Sequence, residues 1–486
     1  MKNSIASLSA STILALTGIL VWLSMAAPRA SAIPAFSRKY QTSCSTCHSN
    51  YPELNDFGEA FKKNGFKFPK DDETFVKEPP VLLGAKSQKE AFPKAIYPGE
   101  IPGSVPVAFR YSGNFTYNSR QPVALGFLPR TDLFAPNTFT VIGAGSFGPT
   151  ISFWVDNDIS AGGDNGSAGL GDGYLKFNDL GHYVRLPKDT LNVRMGQFEL
   201  DLPFSQARGI NLTPYDVYGQ ASIAGLPGTT NNQFVFGIPQ RGFEVGGYPN
   251  DGNFSWSVAL VNGSSNSAAM RNTKDVYVRV SQRFNLERDA NARKDVQAAG
   301  PTGPRDHTSL RVGTFYYHGQ NELNLDGLLF PGLDILREPF YRVGGDLRFK
   351  YRNLELYGLG MYGHDENSLP NAAGTGFQLS TPVNFTGGFA QAQYWIHPWV
   401  IALMRYDFVR SPMDVLNGLP GSAPTIFPTN ALRNRFSPGV QLLVRANIKV
   451  AVEYQHRWQQ SGTPAPAPLS DLFRPDGFQS GIDFVF

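Results

Sequence analysis

The chain has 486 residues, enough for one large domain and a small one. Charged residues make up 17% and aromatics 13%, with 50 glycines, whereas ordinary soluble domains carry about 25% charged residues. Apart from Lys2 and Arg29 in the leader, 41 basic residues face 40 acidic ones. That balance argues against a nucleic-acid partner, which requires a basic excess.

Lys2 is followed by an apolar run from Ile13 to Leu23 and by Ala30-Ser31-Ala32. This order predicts a cleaved secretory signal peptide over residues 1–32 and a mature chain from Ile33. The competing reading is a membrane anchor, but the run is shorter than the roughly 20 residues of a span. No other stretch is long and apolar enough for a transmembrane helix.

The only two cysteines, Cys44 and Cys47, stand directly before His48. Cys44-Ser45-Thr46-Cys47-His48 is the signature for covalent haem c attachment. Two thiols at this spacing each bond one vinyl group of one porphyrin. His48 then supplies the proximal axial imidazole to the iron. A disulfide has no need of His48, and zinc would want four ligands. A redox C-x-x-C belongs in a βαβ setting. Downstream, Leu54, Phe57 and Phe61 recur at helical spacing and Gly65 offers a stop. One helix covering the haem is expected.

No second His and no Met occurs between Ile33 and Gly103, so the distal ligand is not identified. The other histidines are His182, His307, His318, His364, His397 and His456. The remaining methionines of the mature chain are Met195, Met270, Met361, Met404 and Met413. Residues 33–104 are read as a monohaem segment and linker, with the Pro- and Gly-rich stretch 79–106 leading out of it.

Residues 105–486 read as a barrel. Val107, Phe109, Tyr111, Phe115 and Tyr117 alternate with Ala108, Arg110, Ser112, Asn114 and Thr116, the period of a strand. Similar runs occur at 150–159, 190–200, 254–262, 275–285, 340–350, 354–364, 384–396, 399–409 and 440–457. About sixteen strands are expected. Short links near 148–149, 250–253, 351–353, 397–398 and 446–447 alternate with long ones near 118–137, 201–240, 321–339, 365–383, 410–433 and 459–476. Outer-membrane barrels sort short turns and long external loops in this way. The charged stretch 286–308 breaks the rule. Arg405 and Asp407 share one face, opposite Met404, Tyr406 and Phe408, as a polar lumen and a lipid-facing exterior require. The chain ends in an alternating run closed by Phe486. The fold expected is therefore all-β: an outer-membrane antiparallel barrel with a small helical haem segment inside its lumen.

A monohaem signature fused to a large barrel resembles the outer-membrane cytochrome–porin family of iron-oxidising bacteria. The resemblance rests on Ala35-Phe36-Ser37-Arg38, on Cys44 to His48, on Leu54-Asn55-Asp56-Phe57-Gly58-Glu59-Ala60-Phe61-Lys62, and on Gly65. Beyond these residues it is one of architecture. It implies oxidation of extracellular Fe(II), an iron:cytochrome c oxidoreductase type of electron transfer. A periplasmic cytochrome or copper protein would be the acceptor. Two alternatives stand beside this: a conduit for another donor or for outward flow, and a diffusion porin whose haem is sensory or structural. No catalytic triad, phosphate loop or paired carboxylate is evident.

Overall fold

A computed structural model describes residues 35–68, 72–94, 99–103, 105–118, 131–161, 169–205, 209, 211–219, 234, 236–249, 252–263, 273–286, 308–324, 335–366, 383–411, 431–456 and 476–486. The expected signal peptide lies outside them.

Ahead of the barrel come two short hairpins. One pairs β1 (His48–Asn50) with β2 (Glu53–Leu54), the other β3 (Val81–Leu82) with β4 (Glu100–Ile101). Sixteen antiparallel strands succeed them: β5 (Val107–Asn118), β6 (Thr131–Phe147), β7 (Ile151–Ala161), β8 (Gly169–Phe177), β9 (Asn192–Phe198), β10 (Gln240–Gly247), β11 (Phe254–Val261) and β12 (Asp275–Asn285). The second half is β13 (Ser309–Asn324), β14 (Ile335–Tyr351), β15 (Leu354–Asp365), β16 (Val383–His397), β17 (Val400–Ser411), β18 (Ala431–Arg445), β19 (Ile448–Gln455) and β20 (Gly477–Val485). β20 pairs with β5, from Gly477↔Asn118 to Val485↔Arg110, and the sheet closes on itself. Closure leaves no unpaired edge, which a hydrocarbon surround would not tolerate.

The expected strand count is met. The stretch 286–308 joins β12 and β13, whose ends pair directly at Asn285↔Ser309. Residues 287–307 lie outside the described ones. The tight turns use residues that tolerate positive φ, such as Gly148 (φ 63°) between β6 and β7.

The barrel's polarity is inverted relative to a soluble protein. Along β17, Met404 is 52% exposed and Tyr406 38%, while Arg405 is 1% and Asp407 0% exposed. Val258, Leu347, Val440 and Val452 are likewise outward and exposed. An apolar outer face and a charged interior are the mark of a strand wall facing lipid. No helix among the described residues is long and apolar enough to cross a membrane; the strands do that here.

Two segments occupy the lumen. The first is the N-terminal one, which binds the wall at the end of the short turns. Glu53 pairs with Arg348 of β14 (2.7 Å), and Asp56 lies 3.3 Å from both Arg283 of β12 and Lys350. Lys67 donates to the Gly148 carbonyl (2.6 Å), and Asn50 donates to Gln441 of β18. The second is the link between β9 and β10, expected near 201–240 as an external loop, whose described residues turn inward instead. Its Phe204 stacks on Tyr357 (4.7 Å) and its Tyr215 on Phe389 (4.2 Å). Phe234 meets Tyr317 at 4.4 Å and Phe340 at 5.1 Å. These rings form a dry aromatic core further up the lumen than the first segment.

Candidate functional site

The site is built from the turn that carries the two thiols. Ser43 caps a single 3-10 turn, Cys44–Thr46, and the Cys47 amide donates to the Cys44 carbonyl at 3.1 Å. His48 then opens β1, and the chain reverses at Tyr51-Pro52 so that Leu54 lies opposite His48. His48 Nδ1 sits 3.1 Å from the Pro52 carbonyl. A carbonyl can only accept, so Nδ1 carries the proton and Nε2 is left as the basic nitrogen. Metal-bound imidazoles are oriented by this kind of contact.

The expected helix is Asp56–Lys63, with Asp56 and Glu59 in its first turn and Lys62 and Lys63 in its last. It starts two residues later than the apolar spacing suggests, because Leu54 belongs to β2 and Asn55 is the cap. Gly65, at φ 68°, lies just beyond its end. Asn55 is the residue that sequence reasoning passed over. Its Oδ1 caps the helix by accepting from the Gly58 amide (2.8 Å). Its Nδ2 donates to the Thr46 carbonyl (3.1 Å), and its own amide donates to Cys47 O (3.0 Å). An Asn immediately before an apolar-periodic run is the available sequence signal.

Gly58 explains how closely helix and turn approach. A Cβ there would stand 2.0 Å from the Cys47 carbonyl oxygen. Gly58→Val is expected to loosen this segment by about 2–3 kcal/mol through overpacking. Limited trypsinolysis should then cut within residues 35–101 far faster than in the parent. Gly99→Ala, where nothing lies within 4 Å, should leave the pattern unchanged.

An aromatic cluster packs against Cys47. Phe36 meets Phe61 edge-on at 5.0 Å and stacks on Phe66 at 5.1 Å, and Tyr40 stacks on Phe68 at 4.2 Å. Phe57 and Trp154 of β7 complete it. Burial pushes the Cys44 thiol up and the Cys47 thiol up to about 12. Redox-active cysteines show the opposite, a depressed thiol pKa. Neither cysteine is in a disulfide. Two uncharged thiols, an imidazole with its proton held on Nδ1, and an apolar wall of rings fit a covalently attached porphyrin. Cys44, Cys47 and His48 would hold it.

Glu53, on the hairpin that carries His48, shares the Arg348 guanidinium with Glu355. Gln393 bridges it to the Tyr357 hydroxyl, 3.5 Å to the carboxylate and 2.7 Å to the oxygen. Burial, followed by the charge of Glu355, raises the Glu53 carboxyl to about 7. Asp56 behaves oppositely. Lys350 and Arg283 outweigh its burial and hold it far below the usual carboxylate range.

No distal ligand emerges among the described residues. Met195 and Met404 face outward, and Met361 belongs to the aromatic core further up the lumen. His307, Met270 and Met413 lie outside the described residues. No cluster of three metal-ligating side chains occurs among the described residues.

The chain is similar to several solved structures. The outer membrane channel DcaP of Acinetobacter baumannii is 12% identical, with a TM-score of 0.46, over 78% of this chain and 96% of that one. The anion-selective porin from Comamonas acidovorans is 12% identical (TM-score 0.48, 79% and 99%). Salmonella typhi OmpF in complex with daunomycin is 13% identical (TM-score 0.48, 78% and 97%). No family profile and no curated protein matches the sequence. The barrel is defined by the strand pairing itself.

Proposed function

We propose that this protein is exported to the outer membrane with residues 1–32 removed, carries one haem c on Cys44 and Cys47, and passes electrons from extracellular Fe(II) to a periplasmic cytochrome or copper protein. The observation that carries this reading is the His48 Nδ1–Pro52 carbonyl contact beside two undisulfided thiols. It aims Nε2 for ligation, and neither a disulfide nor a thiol redox site needs it. Bound haem supplies a one-electron carrier. The chain's own residues do the rest. Phe36, Phe61 and Phe66 keep water away. Asn55 and Gly58 seat the helix on the attachment turn. Glu53 and Asp56 tie the segment to Arg348, Lys350 and Arg283. Anchoring at the turn end suits delivery to a soluble periplasmic acceptor.

The second reading, a diffusion porin with a sensory or structural haem, is favoured by the barrel itself. Sixteen closed strands enclose a lumen of a size that conducts water in porins. It requires a continuous aqueous path past both lumen segments.

The test is anaerobic stopped-flow mixing of the purified protein with Fe(II) from acidic to neutral pH, watching the haem α-band. Rapid reduction supports iron oxidation. A haem reduced by dithionite but never by Fe(II) sinks it. Steady ion current through wild-type protein in a planar bilayer would then establish the porin reading.

A further inference from the structure

Between the lumen segment and β5 the chain crosses the rim of the barrel. Pro102 lies over Gly145 of β6, where a Cβ would stand 3.1 Å from Phe153 Cε1 and 3.3 Å from Pro102 Cγ. Gly145 pairs with Phe153 of β7, and from Phe153 the pairing runs on through Leu175, Met195, Phe243 and Leu260 across β8 to β11. Directly paired residues share one face of a sheet, and Leu175, Met195, Phe243 and Leu260 are all exposed on the outside. Pro102 therefore lies against the outer, lipid-facing side of the wall. Glu100 sits beside it at the tight turn, its Oε1 3.6 Å from where a Gly148 Cβ would be.

This places the β3–β4 hairpin at the outer edge of the short-turn end. The Leu83 amide donates to the Gly99 carbonyl (2.8 Å) at the base of its loop. Its apolar side chains are not covered: Leu82 is 67% and Phe92 63% exposed, and Val81, Leu83 and Ile101 are exposed as well. The same end of the barrel carries exposed rings next to its short turns, among them Phe147, Tyr351, Tyr394 and Trp399. Such a girdle marks the boundary between membrane and water. An apolar hairpin at the level of that girdle and continuous with the lipid-facing wall meets lipid. Its charge fits the same surroundings. Between Leu83 and Glu100 the chain carries Lys86, Lys89 and Lys94 against Glu90 alone, and anionic headgroups attract lysines held near them. Exposed apolar side chains flanked by lysines are the pattern of an interfacial anchor.

We propose that the Val81–Ile101 hairpin is an interfacial anchor seated in the periplasmic leaflet of an anionic phospholipid membrane, with Leu82 and Phe92 among the acyl chains and Lys86, Lys89 and Lys94 at the headgroups. The N-terminal segment then grips the rim from both sides. Glu53 and Asp56 hold it to the wall from within the lumen, and the hairpin holds it to the lipid outside. This assignment rests on the outer-membrane location and does not depend on the haem.

The probe is the photo-crosslinker p-benzoylphenylalanine in place of Phe92, in the full-length protein held in nanodiscs of phosphatidylethanolamine and phosphatidylglycerol. Irradiation is expected to add the mass of one phospholipid, at a yield comparable to that of the same replacement at Met404 on the exposed face of β17. Leu82→Asp should cut the adduct at position 92 several-fold, and so should exchanging phosphatidylglycerol for phosphatidylcholine. Both positions are exposed, so neither replacement disturbs the barrel, and Met404 labelling confirms that the wall is inserted. Labelling at Met404 without a lipid adduct at position 92 overturns the proposal. So does a yield that neither Leu82→Asp nor the lipid exchange lowers. A protein-sized adduct as the main product at position 92 in intact outer membranes also overturns it, since a partner chain would then cover the hairpin.

Discussion

Cys47→Ser is expected to cut covalent haem sharply, to the single bond that Cys44 can still form, read as weakened haem staining of the denatured polypeptide on a gel. Cys47 packs against the aromatic cluster and its carbonyl accepts from the Asn55 amide. Serine keeps that backbone contact and nearly the same volume, so the hairpin and helix stay in place. Only the thioether is removed. Cys44→Ser should leave a reduced, single-bonded yield, and the double replacement none. His48→Ala should leave the bonds but alter the Soret and α-bands, because the axial nitrogen is lost. Barrel folding is the internal control: heat-modifiable gel mobility should be the same in all four proteins. Stain retained in the double variant would remove the haem c assignment, and with it the proposed electron route.

The second large effect is expected at Arg405. This guanidinium is buried at the centre of the inward link. Its Nε donates to Asp407 (2.7 Å). Its Nη2 donates to Thr213 Oγ1 (2.6 Å) and to the carbonyls of Thr213 and Pro214 (both 3.0 Å). It also stands 5.0 Å from the centre of the Tyr215 ring. Arg405→Met leaves Asp407 with Arg435 (3.2 Å) and strips a donor from two buried carbonyls. Breaking a buried pair from one side costs about 3–5 kcal/mol. Glu453 still accepts from the amides of Leu212 (2.7 Å) and Thr213 (3.2 Å), so the link is loosened rather than freed. The expected readouts are a lower unfolding temperature and a larger single-channel current than the wild type passes. Arg410→Met, at an exposed position of the same strand, should do neither. An unchanged current and melting curve would mean that the 199–239 link does not obstruct the lumen.

The barrel was legible because a lipid-facing wall forces a period of two over every strand, and that period survives in residues such as Arg405 and Asp407 against Met404 and Tyr406. Link lengths sorted by end were legible for the same reason, since turns and loops meet different surroundings. The thiol pair and His48 stand out in the sequence by their spacing, and the structure sets them on one turn and the hairpin that follows it. The inward course of the described residues between β9 and β10 was not legible. Its partners, Tyr357, Arg405, Glu453 and Phe340, lie far along the chain, and no local period announces a loop that folds back. The charged lumen face read as water-facing for the same reason: the loop that buries Arg405 and Asp407 leaves no trace in their own strand. Asn55 was hidden by its ordinariness, for its role as a triple fastener exists only once the turn and the helix meet.

Closure of the barrel by β20 on β5 has a consequence in time. The seam joins the last strand to be synthesised with the first, and the segment bearing Cys44, Cys47 and His48 lies just ahead of that first strand. Its contacts reach strands all round the ring, from Ser255 on β11 to Gln441 on β18. Such contacts can form together only when the wall is nearly complete. Docking of the N-terminal segment is thus tied in time to the zipping of the seam. The chain's own connectivity makes the pore a vessel that is sealed around its contents.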